Sequence, residues 1–168
     1  MENQVIIVDV NNTVIWLKNR IDLISEDIYR VSAAWIVDSE GRILLAQRAW
    51  TKKNNPWKRW PAVAWTLEYW ETYESNIIKE IKEEIGIDMN LQNLQAKPIE
   101  YREWSWWKNK YFGQWFVGTY DWDKDLIVKQ DEEVEAIKWF TRQELEHELT
   151  LYPAIFLQSI SIKLQEFS

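Results

Sequence analysis

The 168-residue chain has no cysteine. That excludes disulfides, thiolate nucleophiles and zinc–thiolate centres together. It has a single histidine, His147. A histidine-rich metal site and a Ser-His-Asp triad are therefore poorly supported, and His147 itself reads as a surface residue of a polar helix. No apolar run approaches the ~20 residues that span a bilayer. The opening MENQVIIVDV lacks the basic start and long apolar stretch of a signal peptide. The expectation is a cytoplasmic protein that does not partner a membrane. Positive charge is in deficit, with 20 Lys and Arg against 27 Asp and Glu, a net charge of -7. That argues against a nucleic acid polymer as the main partner, whereas a small phosphorylated ligand is acceptable if a metal mediates. Glycine is scarce too: four glycines stand beside thirteen tryptophans, although average glycine usage is about 7%.

What is present reads as a globular domain. Hydrophobic residues make up 46% and charged residues 28%, and the length suits one domain with a sizeable core. We expect residues 1–168 to form a single domain, with 1–28 as an N-terminal hairpin extension and 150–168 as a C-terminal helix. Residues 4–10 and 13–18 are β-rich runs split by Asn11-Asn12, a hairpin pattern. Residues 29–37 and 43–48 predict two strands joined by the turn Ser39-Glu40-Gly41-Arg42. A basic loop follows, with Lys52, Lys53, Lys58 and Arg59 around Pro56. Either it holds anionic substrate groups or it is a solvated loop. Residues 61–64 predict a short strand. Residues 94–104 and 110–120 predict two more, connected through 105–108, with a polar break at 121–124. Residues 133–140 predict a further strand. Thr141 is placed to cap a helix through Leu149, with Glu144 completing a capping box, and a last helix is predicted over 153–167. Strands first, a central helix and closing helices suggest a mixed sheet covered on both faces.

The central stretch is WTLEYWETYESNIIKEIKEEIGI, from Trp65 to Ile87. Thr72 predicts a helix N-cap, Glu71 and Glu74 suit the positive end of its dipole, and Gly86 suits its C-terminus. Ile77, Ile78, Ile81 and Ile85 form an apolar stripe. Glu80, Glu83 and Glu84 follow the spacing i, i+3, i+4, which puts three carboxylates within one turn. Like charges so placed oppose folding by a few tenths of a kcal/mol per pair, roughly 0.2–0.5. A hard divalent cation would offset that, since magnesium binds through a few carboxylates and substrate phosphates. The alternative is a solvated acidic face with Lys79 and Lys82 as partial counter-charges.

This stretch resembles the signature of the Nudix hydrolase family. That signature reads Gly, five residues, Glu, seven residues, Arg-Glu-aliphatic, one residue, Glu-Glu, one residue, Gly-aliphatic. Glu71, Glu80, Ile81, Glu83, Glu84, Gly86 and Ile87 match, seven of nine specified positions. Trp65 stands at the first glycine and Lys79 at the arginine. The resemblance extends from about Tyr29 to Leu149, and the Pro56 loop and the ETYE helix start look most like the isopentenyl-diphosphate isomerase-like branch. Lacking cysteine and a histidine cluster, the chain shares that ancestry without the isomerase reaction.

The resemblance implies an α/β/α sandwich with a mixed β-sheet. It implies hydrolysis, assisted by magnesium or manganese, of a nucleoside diphosphate linked to another moiety. Glu80, Glu83 and Glu84 would be the metal ligands. Glu80, or an acidic residue of Asp131-Glu132-Glu133, would be the general base, with Glu133 the choice in that trio. Glu71, Lys79 and Gly86 would brace the signature loop. Arg48, Lys58 and Trp107 are the substrate-binding candidates. Trp106, Trp107, Tyr111 and Phe112 offer faces to a nucleobase, though aromatic packing is the commoner role for such residues. A homodimer built on the aromatic surface is also open.

Tryptophan at 65 and 70, where the family has or favours glycine, gives a competing expectation. A bulky residue forced into a glycine conformation costs roughly 1–3 kcal/mol. A 1 Å displacement in a catalytic loop costs about a hundredfold in rate. A nucleotide-binding module with impaired catalysis is therefore the alternative.

Overall fold

The computed structural model describes residues 4–104, 109–120 and 132–167. The chain begins with the expected hairpin, β1 (Gln4–Val8) and β2 (Val14–Asn19), turning where Asn12 takes a positive φ of 62°. Asparagine tolerates that left-handed conformation better than most residues. A 3-10 turn, Arg20–Asp22, leads into the long strand β3 (Ile28–Val37). Gly41, with φ 75°, makes the turn into β4 (Ile43–Arg48). The single strand expected over 61–64 is two, β5 (Arg59–Pro61) and β6 (Val63–Thr66). β5 pairs with β4 and β6 with β3, so the chain changes partner at the fully buried Ala62. Helix α1 (Tyr73–Ile85) follows.

Residues 94–104 also divide, into β7 (Leu94–Ala96) and β8 (Glu100–Trp104). Pro98 lies between them and has no N–H to give a ladder. Both pair with β9 (Asn109–Thr119), which runs parallel to β3 along ten residue pairs. β10 (Val134–Phe140) pairs with β4, helix α2 (Arg142–Leu151) follows Thr141, and α3 (Gln158–Glu166) closes the chain. The closing helix expected over 153–167 is broken: a 3-10 turn, Pro153–Ile155, precedes α3, and Phe156 bridges to Arg59. The connection 105–108, the break at 121–124, Trp106, Trp107 and Asp131 lie outside the described residues.

The ten strands of the described residues form one mixed sheet. Strand alternation sorts the core into two layers. Ala34, Ile36 and Leu44 face α1 with Ile77, Ile81 and Ile85. Trp35, Ile43 and Leu45 face Leu145, Ile160 and Leu164 of α2 and α3. Helices thus cover both faces, the α/β/α arrangement expected. Each fully buried isoleucine of α1 contributes roughly 1.5–3 kcal/mol, which fixes the helix's rotation and hence where its glutamates point. His147 is exposed on α2, as expected. Among the described residues no helix is long and apolar enough to cross a membrane.

Candidate active site

Helix α1 starts with a reciprocal capping box. Thr72 accepts from the Ser75 N–H, and Ser75 Oγ accepts from the Thr72 N–H at 2.9 Å. It ends on Gly86, whose left-handed φ of 71° lets its N–H reach the Lys82 carbonyl. The loop before the helix is held by buried Glu71. Its Oε2 accepts from the Glu68 N–H and from Asn76 Nδ2, both at 2.8 Å, and its Oε1 accepts from Lys79 Nζ at 2.7 Å. Asn76 is wholly buried, and its Oδ1 accepts from Ser32 Oγ of β3. The signature loop, α1 and the central strand are therefore joined by one hydrogen-bonded chain. Lys79 also pairs with Glu80 at 3.1 Å. Burial opposes its charge, but Glu71 and Glu80 prevail and hold its ammonium above the ordinary lysine range.

Glu80, Glu83 and Glu84 have different surroundings. Glu80 is 4% exposed and Glu84 1% exposed, whereas Glu83 is exposed to solvent. Neither carboxylate oxygen of Glu84 has a hydrogen-bond partner. Burial, and then the negative charges of Glu80 and Glu133, push its carboxyl well above the usual range; Arg48 and Lys52 oppose this. Glu80 is pushed up to about 7, chiefly by burial, with Lys79 pulling the other way. Glu133, just before β10, is brought in by the sheet: its carbonyl accepts from the Ala49 N–H at 2.9 Å at the end of β4. One oxygen of Glu133 pairs with Lys52, while its Oε2 is buried without a partner.

Arg48 ends β4. Its guanidinium carbon lies 4.4 Å from the centroid of the Trp60 ring, and its Nε is buried without a partner. Lys58 is half-buried, and its carbonyl accepts from the Arg48 N–H at 3.0 Å. Arg48, Lys52 and Glu133 thus approach Glu84 from the sheet. Trp107, the third substrate candidate, lies outside the described residues. Arg20 is the residue that sequence reasoning missed. It lies 45 positions before Trp65, in a segment with no motif, and only folding brings it to the signature loop, where its guanidinium carbon is 4.4 Å from the Trp65 ring centroid.

The NUDIX domain family matches residues 28–159. The chain belongs to the Nudix family. An uncharacterized Nudix hydrolase of Nostoc is 31% identical over 102 residues, covering 57% of this chain. The alignment spans 60% of that relative's length. A prenyl-diphosphate phosphatase of Methanosarcina mazei is 29% identical over 156 residues, 91% of this chain and 88% of that one. A crystal structure from Deinococcus radiodurans superposes with TM-score 0.75 at 18% identity, covering 97% and 98% of the two chains. A MutT protein of Methanosarcina mazei gives 0.65 at 18% identity, covering 83% and 92%. At those identities the two structures establish the shared Nudix fold.

Nudix hydrolases generally use divalent metal ions, and the donors of this Nudix chain suit one. Buried carboxylate oxygens without partners on Glu84 and Glu133 are hard ligands that a cation would satisfy. Of the expected trio Glu80, Glu83 and Glu84, the fold buries Glu80 and Glu84 and leaves Glu83 at the surface. Among the described residues no group of three metal-ligating side chains stands ready to hold an ion. The reason is helical geometry: the isoleucine stripe that buries Glu80 and Glu84 rotates Glu83 towards water. Magnesium tolerates this, because it takes one or two carboxylates and completes its shell with waters and substrate phosphates.

The strain expected at Trp65 and Trp70 is also absent. The described non-glycine residues with positive φ are Asn12, Asn55 and Trp57. Trp65 sits in regular strand β6 opposite Ser32. Trp70 is 52% exposed, its ring edge-on to Tyr69 at 4.7 Å. The tryptophan that does occupy a glycine-like conformation is Trp57, at φ 65°.

Proposed function

We propose that this Nudix protein is a metal-dependent hydrolase that cleaves the diphosphate linkage of a small organic substrate, with water attacking phosphorus. The observation that carries the reading is Glu84: a carboxylate 1% exposed, with neither oxygen hydrogen-bonded, beside Glu80 and Glu133. Leaving such a group unsatisfied is expensive for folding, and a cation is what its surroundings lack. Glu84, Glu80 and Glu133 would hold magnesium or manganese, which neutralises diphosphate oxygens and acidifies water. Lys79, gripped by Glu71, fixes the rotamer of Glu80. Glu80 is one acceptor for the proton of the attacking water; the free Oε2 of Glu133 is the other. Glu83 serves as an outer ligand through water. Arg48 and Lys58 flank the phosphates.

For the organic group, the nucleoside diphosphate derivative that the signature suggests is the first substrate class. A second reading, a prenyl diphosphate, is favoured by the Methanosarcina phosphatase aligned along 91% of the chain. The test is release of phosphate-containing products from both substrate panels with magnesium. Release that disappears in Glu84→Gln supports the proposal. No turnover of any diphosphate by well-folded protein rejects it, and tight nucleotide binding without turnover supports the binding-module alternative.

A further inference from the structure

An open sheet edge is a row of backbone donors and acceptors with no neighbouring strand, and proteins guard it with charge, shortness or a cover. Among the described residues, β2, β7, β8 and β10 each pair with a single neighbour. Three of these edges are guarded. β7 is three residues long, β8 carries Glu100, Arg102 and Glu103, and β10 carries Glu135 and Lys138. β2 is six residues long, and its Val14, Ile15, Trp16 and Leu17 bear no charge. Its one ionic residue, Lys18, is held by Asp27 at 2.7 Å.

Those four side chains are 51%, 60%, 60% and 45% exposed. Together they leave on the order of 400 Å² of apolar surface in water, as much as the largest patch on a typical monomer, which is often functional. Two copies would bury about twice that between them. The strand backbones and Ile21, which is 92% exposed, bring the contact towards the ~1,200 Å² in total at which specific interfaces begin.

The strand can also face itself. Two β2 strands related by a two-fold axis run antiparallel, and the same patch serves on both sides. Centred on Trp16, the pairing sets Trp16 against the partner's Trp16, Leu17 against the partner's Ile15 and Lys18 against the partner's Val14. No like charges meet, and apolar cross-strand pairs are favourable. A register shift between Ile7 and Val8 leaves Ile15 without an opposite residue on β1, while residues 16–19 stay in register. The contact is therefore short. With the other edges guarded, it closes at two copies.

We infer that the β2 edge is a dimerisation surface, on which a second copy of this chain pairs antiparallel about Trp16. The surface lies outside the span 28–159 that the NUDIX family matches. It is one strand away from the signature loop, because β1 is tied to that loop: Val5 bridges to Glu68, and the Tyr69 N–H donates to the Gln4 carbonyl at 3.0 Å.

Sedimentation of the full chain should show monomer near about 1 μM and dimer near about 100 μM, the range of a small interface. Trp16→Lys sets two like charges opposite one another and removes two indoles from the contact, so the dissociation constant should rise at least about tenfold. Tyr101→Lys, on the guarded β8 edge, should leave it unchanged. At low concentration both variants should melt within about 2 °C of the unmodified chain, because neither residue is buried in the monomer. A chain that stays monomeric at about 100 μM, or a dimer indifferent to Trp16→Lys, overturns the inference.

The absence of cysteine lets single cysteines report the register. Opposite Cα atoms of an antiparallel pair lie about 4.5–5.5 Å apart, within disulfide reach. Trp16→Cys should therefore oxidise to a covalent dimer. The two Leu17 positions are offset by two residues along the strands and lie about 8 Å apart, beyond the ~7 Å limit, so Leu17→Cys should not. Cross-linking at 17 and not at 16, or at neither, overturns the pairing. Should the variants fold poorly, hydrogen exchange on the unmodified chain decides. Amides of residues 15–18 that point away from β1 should slow as concentration rises, and no slowing overturns it. None of these measurements involves turnover, so this inference and the hydrolase reading stand or fall separately.

Discussion

Helices α1 and α2 are both rich in glutamate, and both open with a threonine capping box. On α2 every glutamate has a local partner. Glu144 accepts from the Thr141 N–H at 2.8 Å, Glu146 from Arg142 at 2.8 Å, and Glu148 from Lys138 at 2.7 Å. On α1, Glu80 has a half-buried lysine, and Glu84 is buried with no hydrogen bond at all. One helix displays its acids to water and neighbouring cations; the other takes two of them out of water beside a third, Glu133, just before β10. Acidic spacing is common to both. Burial without a partner sets Glu84 of α1 apart and is the reason a cation is proposed there.

The largest effect should come from Glu84→Gln. Its hydrolytic rate should fall by at least about a hundredfold, since a lost metal ligand removes several kcal/mol of charge stabilisation. Without metal, the same variant should melt no lower than the unmodified chain, because a buried unpaired charge has been neutralised. A drop in metal-free melting temperature would mean that Glu84 has a structural role like the acids of α2.

The next effect is pH-dependent. Burial pushes Glu80 in the folded, metal-free protein up to about 7, against an ordinary value of 4.5. The folded state therefore holds its proton more tightly than the unfolded chain, and this group's contribution to stability declines as pH rises from 4.5 to 7. At 1.36 kcal/mol per unit the loss is on the order of 3 kcal/mol. A cation binds the ionised form, so the rise in melting temperature caused by magnesium should be larger at pH 8 than at pH 5. A rise of equal size at both would break the contrast between the helices.

Two smaller effects sharpen it. Thr72→Ala and Thr141→Ala should each destabilise by about 1 kcal/mol in denaturant titration, showing that the helices are alike in their caps and differ only in their acids. Trp57→Gly should stabilise by about 1 kcal/mol, because it relieves a left-handed backbone held by a bulky residue. The smallest change belongs to Glu148→Gln: an exposed ion pair is worth under about 1 kcal/mol, and phosphate release should be unaffected.

Much of the fold was legible along the chain because its signals are local. The β3–β4 hairpin, the threonine caps at 72 and 141, the isoleucine stripe and the Gly86 stop depend on residues within a few positions of one another. The divided strands at Ala62 and Pro98 were missed because a strand's partner is chosen elsewhere in the chain. The strain expected at Trp65 and Trp70 was misplaced to them from Trp57, because φ follows from the path of the loop and not from the signature's spacing. For the site, the acidic trio could be read from spacing, and the brace between Glu71 and Lys79 was implied by the family resemblance. Arg20 carried no local signal, since its relevance comes from Val5 meeting Glu68.

The sequence by itself determined a capped amphipathic helix with glutamates at 80, 83 and 84, since helical period and terminal hydrogen bonding are properties of neighbouring residues. Tertiary structure alone decided that Glu84 is dry, that Glu83 is wet, that Glu133 and Arg48 approach that helix, and that Arg20 reaches the signature loop. Those outcomes depend on which distant surfaces exclude water from a given side chain, and exclusion is a property of the packed molecule.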